Sequence, residues 1–225
     1  MFIITNKGFT LAEVLITLLI IGVISSLVIP GIINDTKEAE YNAGVKKIYA
    51  ELTQATMKIQ SANSNTELPS TNDPTGVRTA YGSVLSFVKT DIAGNIWGIL
   101  GTSSTSTYRN YKGTAPAYTH ISTSSPAAML ANGTFLGFTS SYRVSNGFHE
   151  IYADINGSKG PNMQGMDVFK FLVMSQSNGY YKLLPMGAAG TPWGAMSECA
   201  SGSTTYYSSW PCTARRLIDP DNMPK

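Results

Sequence analysis

From Val14 to Ile33 the chain carries no formal charge. As one α-helix, the 25 residues from Phe9 to Ile33 would reach about 37 Å at roughly 1.5 Å per residue, against a hydrocarbon core of about 30 Å. The run therefore predicts a membrane span. A cleaved secretory signal would have a shorter apolar core, roughly 7 to 15 residues, ended by an A-x-A-like site that is not found here. Lys7 precedes the run, whereas Asp35, Lys37, Glu38 and Glu40 follow it with three acids to one base. The positive-inside tendency places the N-terminus in the cytoplasm and the bulk of the chain outside. Glu13 is the exception at the head of the span. A carboxylate there costs on the order of a few kcal/mol in lipid and needs a named partner.

The residues around Glu13 are Lys7-Gly8-Phe9-Thr10-Leu11-Ala12-Glu13, and they resemble the processing site of type IV prepilins and type II secretion pseudopilins. The resemblance implies a leader, residues 1–8, removed by a prepilin peptidase that cuts between Gly8 and Phe9 and N-methylates Phe9. It implies that Glu13 neutralises the terminal amine of an adjacent subunit during assembly, giving a buried charge its counter-charge. Gly22 and Pro30 also stand where many pilins place these residues. Pro30 removes a helical N–H and crowds the Ser26 carbonyl, and Gly22 is a weak helix former, so the helix is expected to be loosened between them. The implied partners are other pilin or pseudopilin subunits, the peptidase, the inner-membrane assembly machinery and, before assembly, the lipid bilayer. The implied location is the bacterial inner membrane as a single-pass protein with its head outside the cytoplasm, then a periplasmic or surface filament. No cofactor is implied.

Beyond the span, Tyr41, Val45, Ile48, Leu52, Ala55 and Ile59 recur at spacings of four and three, the stripe of an amphipathic helix. A nearly continuous helix is expected from Phe9 to Ser61, its part in 34–62 packing on a head formed by 63–225. Ser61 to Gly76 reads as a loop. Val77, Tyr81, Val84, Leu85 and Val88 suggest a short helix, and Ile92 to Pro126 suggests no element. Asn-Gly pairs at 132–133, 146–147 and 178–179 separate β-prone runs: Ala127 to Ala131 from Thr134 to Phe138, Tyr142 to Ser145 from Phe148 to Ile155, and Val168 to Ser175 from Tyr180 to Leu184. Asn-Gly suits a type I′ turn, so an antiparallel meander is expected. A long helix followed by such a sheet is an α+β fold, and the family resemblance implies the same pilin-like architecture.

Charged residues make up 13% of the chain, about half the usual share, consistent with a secreted surface. Lys and Arg exceed Asp and Glu by two, and loss of the leader would remove Lys7 and no acid. That balance gives no basis for strong nucleic-acid affinity. Enzymatic readings find little. Ser86 and Lys89 match S-x-x-K without its companion motifs, and His120 and His149 fit no metal spacing. Between two expected strands, Asp154, Asn156, Asn162 and Asp167 offer hard oxygens for calcium, although an Asx-rich turn also explains Asp-x-Asn-Gly. In an exported domain Cys199 and Cys212 most simply form a disulfide, worth roughly 3 kcal/mol in the chain-entropy model. Two functions of different class follow. One is a structural filament subunit. The other is a minor tip pilin whose aromatic segment, Trp193 to Trp210, contacts a glycan, a surface or DNA.

Overall fold

The computed structural model describes residues 8–62, 68, 73–97, 108–111, 113, 121–122, 124–140, 148–177, 179–192, 194–199 and 209–223. The chain divides into two compact units, Met1–Glu40 and Tyr41–Lys225. Helix α1 is Leu11–Ala62, α2 Pro74–Gly82, α3 Ala93–Trp97 and α4 Cys212–Ile218. The strands are β1 Phe87–Ile92, β2 Pro126–Leu130, β3 Phe135–Ser140, β4 Phe148–Asp154, β5 Val168–Ser175 and β6 Tyr181–Pro185. They form one antiparallel sheet in the order of the chain. The architecture is α+β, with the helix packed on a meander.

In the second unit, the stripe of α1 is the buried face. Tyr41, Val45, Ile48, Leu52, Ala55 and Ile59 are all buried, joined by Thr56 and Gln60. From Val45 onward these apolar residues pack with Val77 and Tyr81 of α2 and with Leu136, Phe138, Ile151, Phe169, Phe171 and Val173 of the sheet. Polar neighbours on the stripe are satisfied internally. Thr56 Oγ1 reaches the Leu52 carbonyl at 2.8 Å and the Tyr81 hydroxyl at 2.6 Å, and Gln60 Nε2 donates to the Tyr181 carbonyl at 2.6 Å. Gly44 lets the helix lie close, because a Cβ there would come within 2.5 Å of Ile155 Cδ1.

The opposite face of the sheet is covered too. Ala93 and Ile96 of α3, Tyr108, Ile121 and Trp210 pack on Phe135, Phe148, Tyr152, Val168 and Leu172. Burial on both faces makes every residue of β4 buried, so β4 lacks the polar alternation of a half-exposed strand. Glu150 and Lys170 meet in this layer at 3.0 Å, with side chains 0% and 2% exposed. Tyr152 donates its hydroxyl to Glu150 at 2.9 Å, and the lysine nitrogen lies 5.4 Å and 5.8 Å from the Tyr152 and Trp210 ring centres. Burial lowers the pKa of Lys170, and Glu150 opposes that shift.

Several local expectations need correction. The short helix ends at Gly82 and does not reach Val88, which is exposed on β1. It begins earlier than read, at Pro74, where the Asp73 carboxylate accepts the Gly76 N–H at 2.8 Å as an N-cap, an arrangement suited to Asp before Pro. The stretch Ile92 to Pro126 contains α3. The Asn132-Gly133 hairpin is not type I′, since only Gly133 of the pair has positive φ, at 86°. Its N–H bonds to the Leu130 carbonyl while the Leu130 N–H bonds to the Thr134 carbonyl, a type I turn completed by a left-handed glycine. The Asn132 side chain instead accepts the Thr134 N–H at 3.0 Å. The same bond pair recurs between Gln176, Gly179 and Tyr180. The Asn146-Gly147 turn and the run Tyr142 to Ser145 lie outside the described residues.

The stripe predicts a graded mutational response. Leu52→Ala, at a fully buried site, is expected to cost about 2–5 kcal/mol. Lys47→Ala, whose side chain is 60% exposed in a 3.9 Å pair with Glu51, is expected to change stability by less than about 1 kcal/mol. Chemical unfolding of the detergent-solubilised chain, followed by tryptophan fluorescence, checks both.

Candidate functional site

The N-terminal end of α1 is built by local hydrogen bonding. Thr10 precedes the first helical residue, and Glu13 Oε2 accepts both its backbone N–H at 2.8 Å and its hydroxyl at 2.9 Å. In return the Glu13 N–H donates to Thr10 Oγ1 at 3.3 Å. This reciprocal arrangement is a capping box, whose sequence signal is Thr-x-x-Glu. Thr10 is thus a residue the sequence reading passed over. A carboxylate in the first turn also complements the helix dipole. Glu13 Oε1 accepts no hydrogen bond among the described residues. Gly8 and Phe9 lie before the helix and are exposed, Phe9 at 88%. The bond between them therefore lies outside the helical ladder.

Between Val14 and Ile33 nearly every side chain is exposed in the single chain, the large apolar ones included. The polar side chains of this stretch turn inward on their own backbone. Thr17 Oγ1 donates to the Val14 carbonyl at 2.9 Å and Ser26 Oγ to the Val23 carbonyl at 2.8 Å, so neither hydroxyl asks for water. The helix is assigned without a break through Gly22 and Pro30. Pro30 still cannot supply an N–H, so one rung is missing from the ladder there. An 18-residue window of α1 is long and apolar enough to cross a membrane.

At the other end of the chain, Cys199 and Cys212 form a disulfide with Cα atoms 4.8 Å apart. It packs with Tyr111, Met166 and Met223. Gly165 makes room for it, because φ is +80° and a Cβ would collide with that of Cys212. Trp210, which the sequence reading placed in a contact-making aromatic segment, is buried at 1% exposure beside Tyr152. It offers no surface to a ligand. Trp193, Tyr206, Tyr207 and His120 lie outside the described residues. His149 is a buried strand residue.

The four oxygen-bearing residues singled out between β4 and β5 do converge. Asp154 ends β4, and Asp167 immediately precedes β5, where Val168 pairs with Asp154. Both aspartates are fully buried. Asp167 Oδ2 accepts the Asn162 N–H at 2.8 Å and Asn156 Nδ2 at 3.2 Å, while Oδ1 accepts the Met163 N–H at 2.7 Å. Asp154 Oδ1 accepts the Asn156 N–H at 3.3 Å, and the Tyr108 hydroxyl points to Oδ2 at 3.4 Å. No Lys or Arg pairs with either carboxylate among the described residues. Burial lifts the Asp154 pKa well above the ordinary carboxylate range, the Asp167 charge adds to this, and backbone N–H groups oppose it. Burial lifts Asp167 as well, against its own N–H donors. Among the described residues no three His, Cys, Asp or Glu side chains gather as a metal-binding group.

The raised pKa of Asp154 fixes a pH response of the fold. The folded state holds this proton more tightly than the unfolded state, whose carboxyl titrates near 3.8. The contribution is complete below that value and is lost as pH rises through the folded pKa. Thermal melting between about pH 4 and 8 should therefore show wild type losing more stability with rising pH than Asp154→Asn, which cannot ionise.

A family model described as the prokaryotic N-terminal methylation motif matches residues 5–29, covering Gly8 and Phe9, the capping box and most of the apolar run. No curated protein matches the chain, and no solved structure matches it. The chain carries, at the head of its apolar helix, the N-terminal methylation motif that is the signature of pilins and pseudopilins.

Proposed function

We propose that the protein is a structural subunit of a type IV pilus or a type II secretion filament. A prepilin peptidase processes it between Gly8 and Phe9 and methylates Phe9, and it polymerises through residues 9–33. The observation that carries this reading is the methylation motif at the head of a helix with apolar side chains exposed all round. Such a surface needs lipid before assembly and neighbouring helices after it, since each large apolar side chain left in water forgoes about 1.5–3 kcal/mol. The subunit waits in the bacterial inner membrane with its head outside the cytoplasm, and the assembly machinery draws it into a periplasmic or surface filament. The work done by the chain is then mechanical and not catalytic.

Glu13 has a role in this scheme that the capping box does not use up. Oε2 is engaged by Thr10, and Oε1 is left to accept the terminal ammonium of an axially shifted neighbour. In an apolar filament core, removing one member of such a pair costs more than the pair contributes, because the other charge stays buried without a partner.

Two experiments test the proposal. Mass spectrometry of protein from its native host is expected to find a chain that begins at N-methylated Phe9, and Gly8→Val is expected to leave precursor in the membrane. A mature terminus after residue 20 would instead mark a cleaved signal peptide. For assembly, Glu13→Ala and Glu13→Gln are both expected to be processed and inserted but lost from the sheared filament fraction. Gln keeps an acceptor for the Thr10 cap and loses only the charge. Normal incorporation of Glu13→Gln would show that the cap and not the charge is what assembly needs.

A further inference from the structure

Given the filament reading above, on which this inference rests, we propose that a groove on the head of one copy receives a face of α1 from a second copy, between Ile32 and Glu40. The groove is lined by α1, β6 and α4 and holds about 450 Å³, the size of clefts that take up ligand groups. All of its lining belongs to the second unit. Tyr49, Leu184, Leu217 and Ile218 give it an apolar bed, and Lys46 and Lys182 are its charged members. The core holds that bed in place. Tyr49 stacks on Phe171 with ring centres 5.9 Å apart, and Leu217 packs against the same cluster. Ile218 is 63% exposed, so the single chain leaves a large apolar side chain in water beside two cations. An apolar patch edged by polar groups marks an interaction surface.

Charge and helical spacing select the occupant. Neither lysine makes an ion pair or hydrogen bond among the described residues. The same holds for Asp35 and Glu40, both exposed on α1. Ile32, Thr36 and Ala39 follow one another at spacings of four and three, so they form one ridge of the helix. Thr36 adds no free hydroxyl to that ridge, because Oγ1 donates to the Ile32 carbonyl at 2.8 Å. At 3.6 residues per turn, Asp35 and Glu40 fall roughly 70° to either side of the ridge, whereas Lys37 and Glu38 fall roughly 130° away. A largely apolar ridge flanked by two acids thus matches an apolar bed that carries two lysines. Lys37 points away from the match and adds no like-charge repulsion.

Ridge and groove are different surfaces, so the contact is heterologous. A heterologous contact that does not close on itself repeats from copy to copy, which suits a filament and not a closed dimer. The ridge also continues the apolar surface of 9–33 along the same helix. Polymerisation through 9–33 therefore holds it beside other copies at high effective concentration, and a weak contact suffices. The ion pairs then fix register and partner more than they add affinity. The exposed Val88 and Ile92 of β1 make a poorer occupant. Lys89 and Arg78 act on Asp91 there, and they would meet Lys46 and Lys182 with like charge.

The test uses the full chain in its native host. With Thr36→Cys and Ile218→Cys in one chain, mild oxidation of sheared filaments is expected to give a ladder of disulfide-linked multimers. Either substitution alone is expected to give none. Lys46→Glu with Lys182→Glu is expected to be processed and inserted like wild type, yet to fall about tenfold in the filament fraction. Adding Asp35→Lys with Glu40→Lys is expected to restore it. All four charged sites are exposed, so these changes spare the fold. Filaments of the double-cysteine chain that give no ladder would overturn the proposal and leave the filament reading standing. So would assembly of the lysine variant at the wild-type level, or coupling of Ile218→Cys to a different protein. A wild-type chain absent from every filament would remove both.

Discussion

The constraint on which this molecule depends is the cost of apolar surface in water. From Val14 to Ile33 the helix carries apolar side chains round its whole circumference, nearly all of them exposed. From Tyr41 onward the apolar residues narrow to one stripe, which the chain covers with its own sheet. One helix therefore meets two solvents. Its first part is suited to lipid or to other helices, and its second to a folded head. The backbone needs no change at the boundary, because helical hydrogen bonds are satisfied within the segment in either medium.

Polar groups are placed according to the same cost. In the span, Thr17 and Ser26 return their hydroxyls to the preceding turn, and Glu13 closes a cap on Thr10. In the head, Lys170 and Glu150 are withdrawn from water together and held by Tyr152 and Trp210. Such a pair gains little net stability, since desolvation offsets the attraction, yet it penalises any packing that would separate the two charges. The loop between β4 and β5 departs from this economy. There two acids are buried without a basic partner among the described residues, and the imbalance singles the loop out within the head.

The sheet is a six-strand meander with each strand beside its sequence neighbour. Among the described residues, the β2–β3 and β5–β6 hairpins close through left-handed glycines at Gly133 and Gly179. The disulfide staples the C-terminal segment over Gly165, where a side chain would not fit. Trp210 in turn seals the second layer of the core. The C-terminal segment thus contributes to packing, which removes one aromatic residue from the surface that a binding function would need.

The span, the motif at its head, the stripe of α1 and β5 were legible in the sequence because each is a local pattern. Charge-free length, a fixed spacing of residues or a helical period is written into neighbours along the chain. The burial of β4 on both faces was not legible, since it depends on Tyr108, Ile121 and Trp210, which are distant in sequence and belong to no periodic run. The turn type was missed for a related reason. Asn-Gly permits positive φ at both positions, but strand register decides whether one or both adopt it, and here only Gly133 does. Sequence also named Asp154, Asn156, Asn162 and Asp167 as oxygen donors. Only the pairing of β4 with β5 brings the two aspartates together out of water, because antiparallel register sets residues face to face across a loop of any composition.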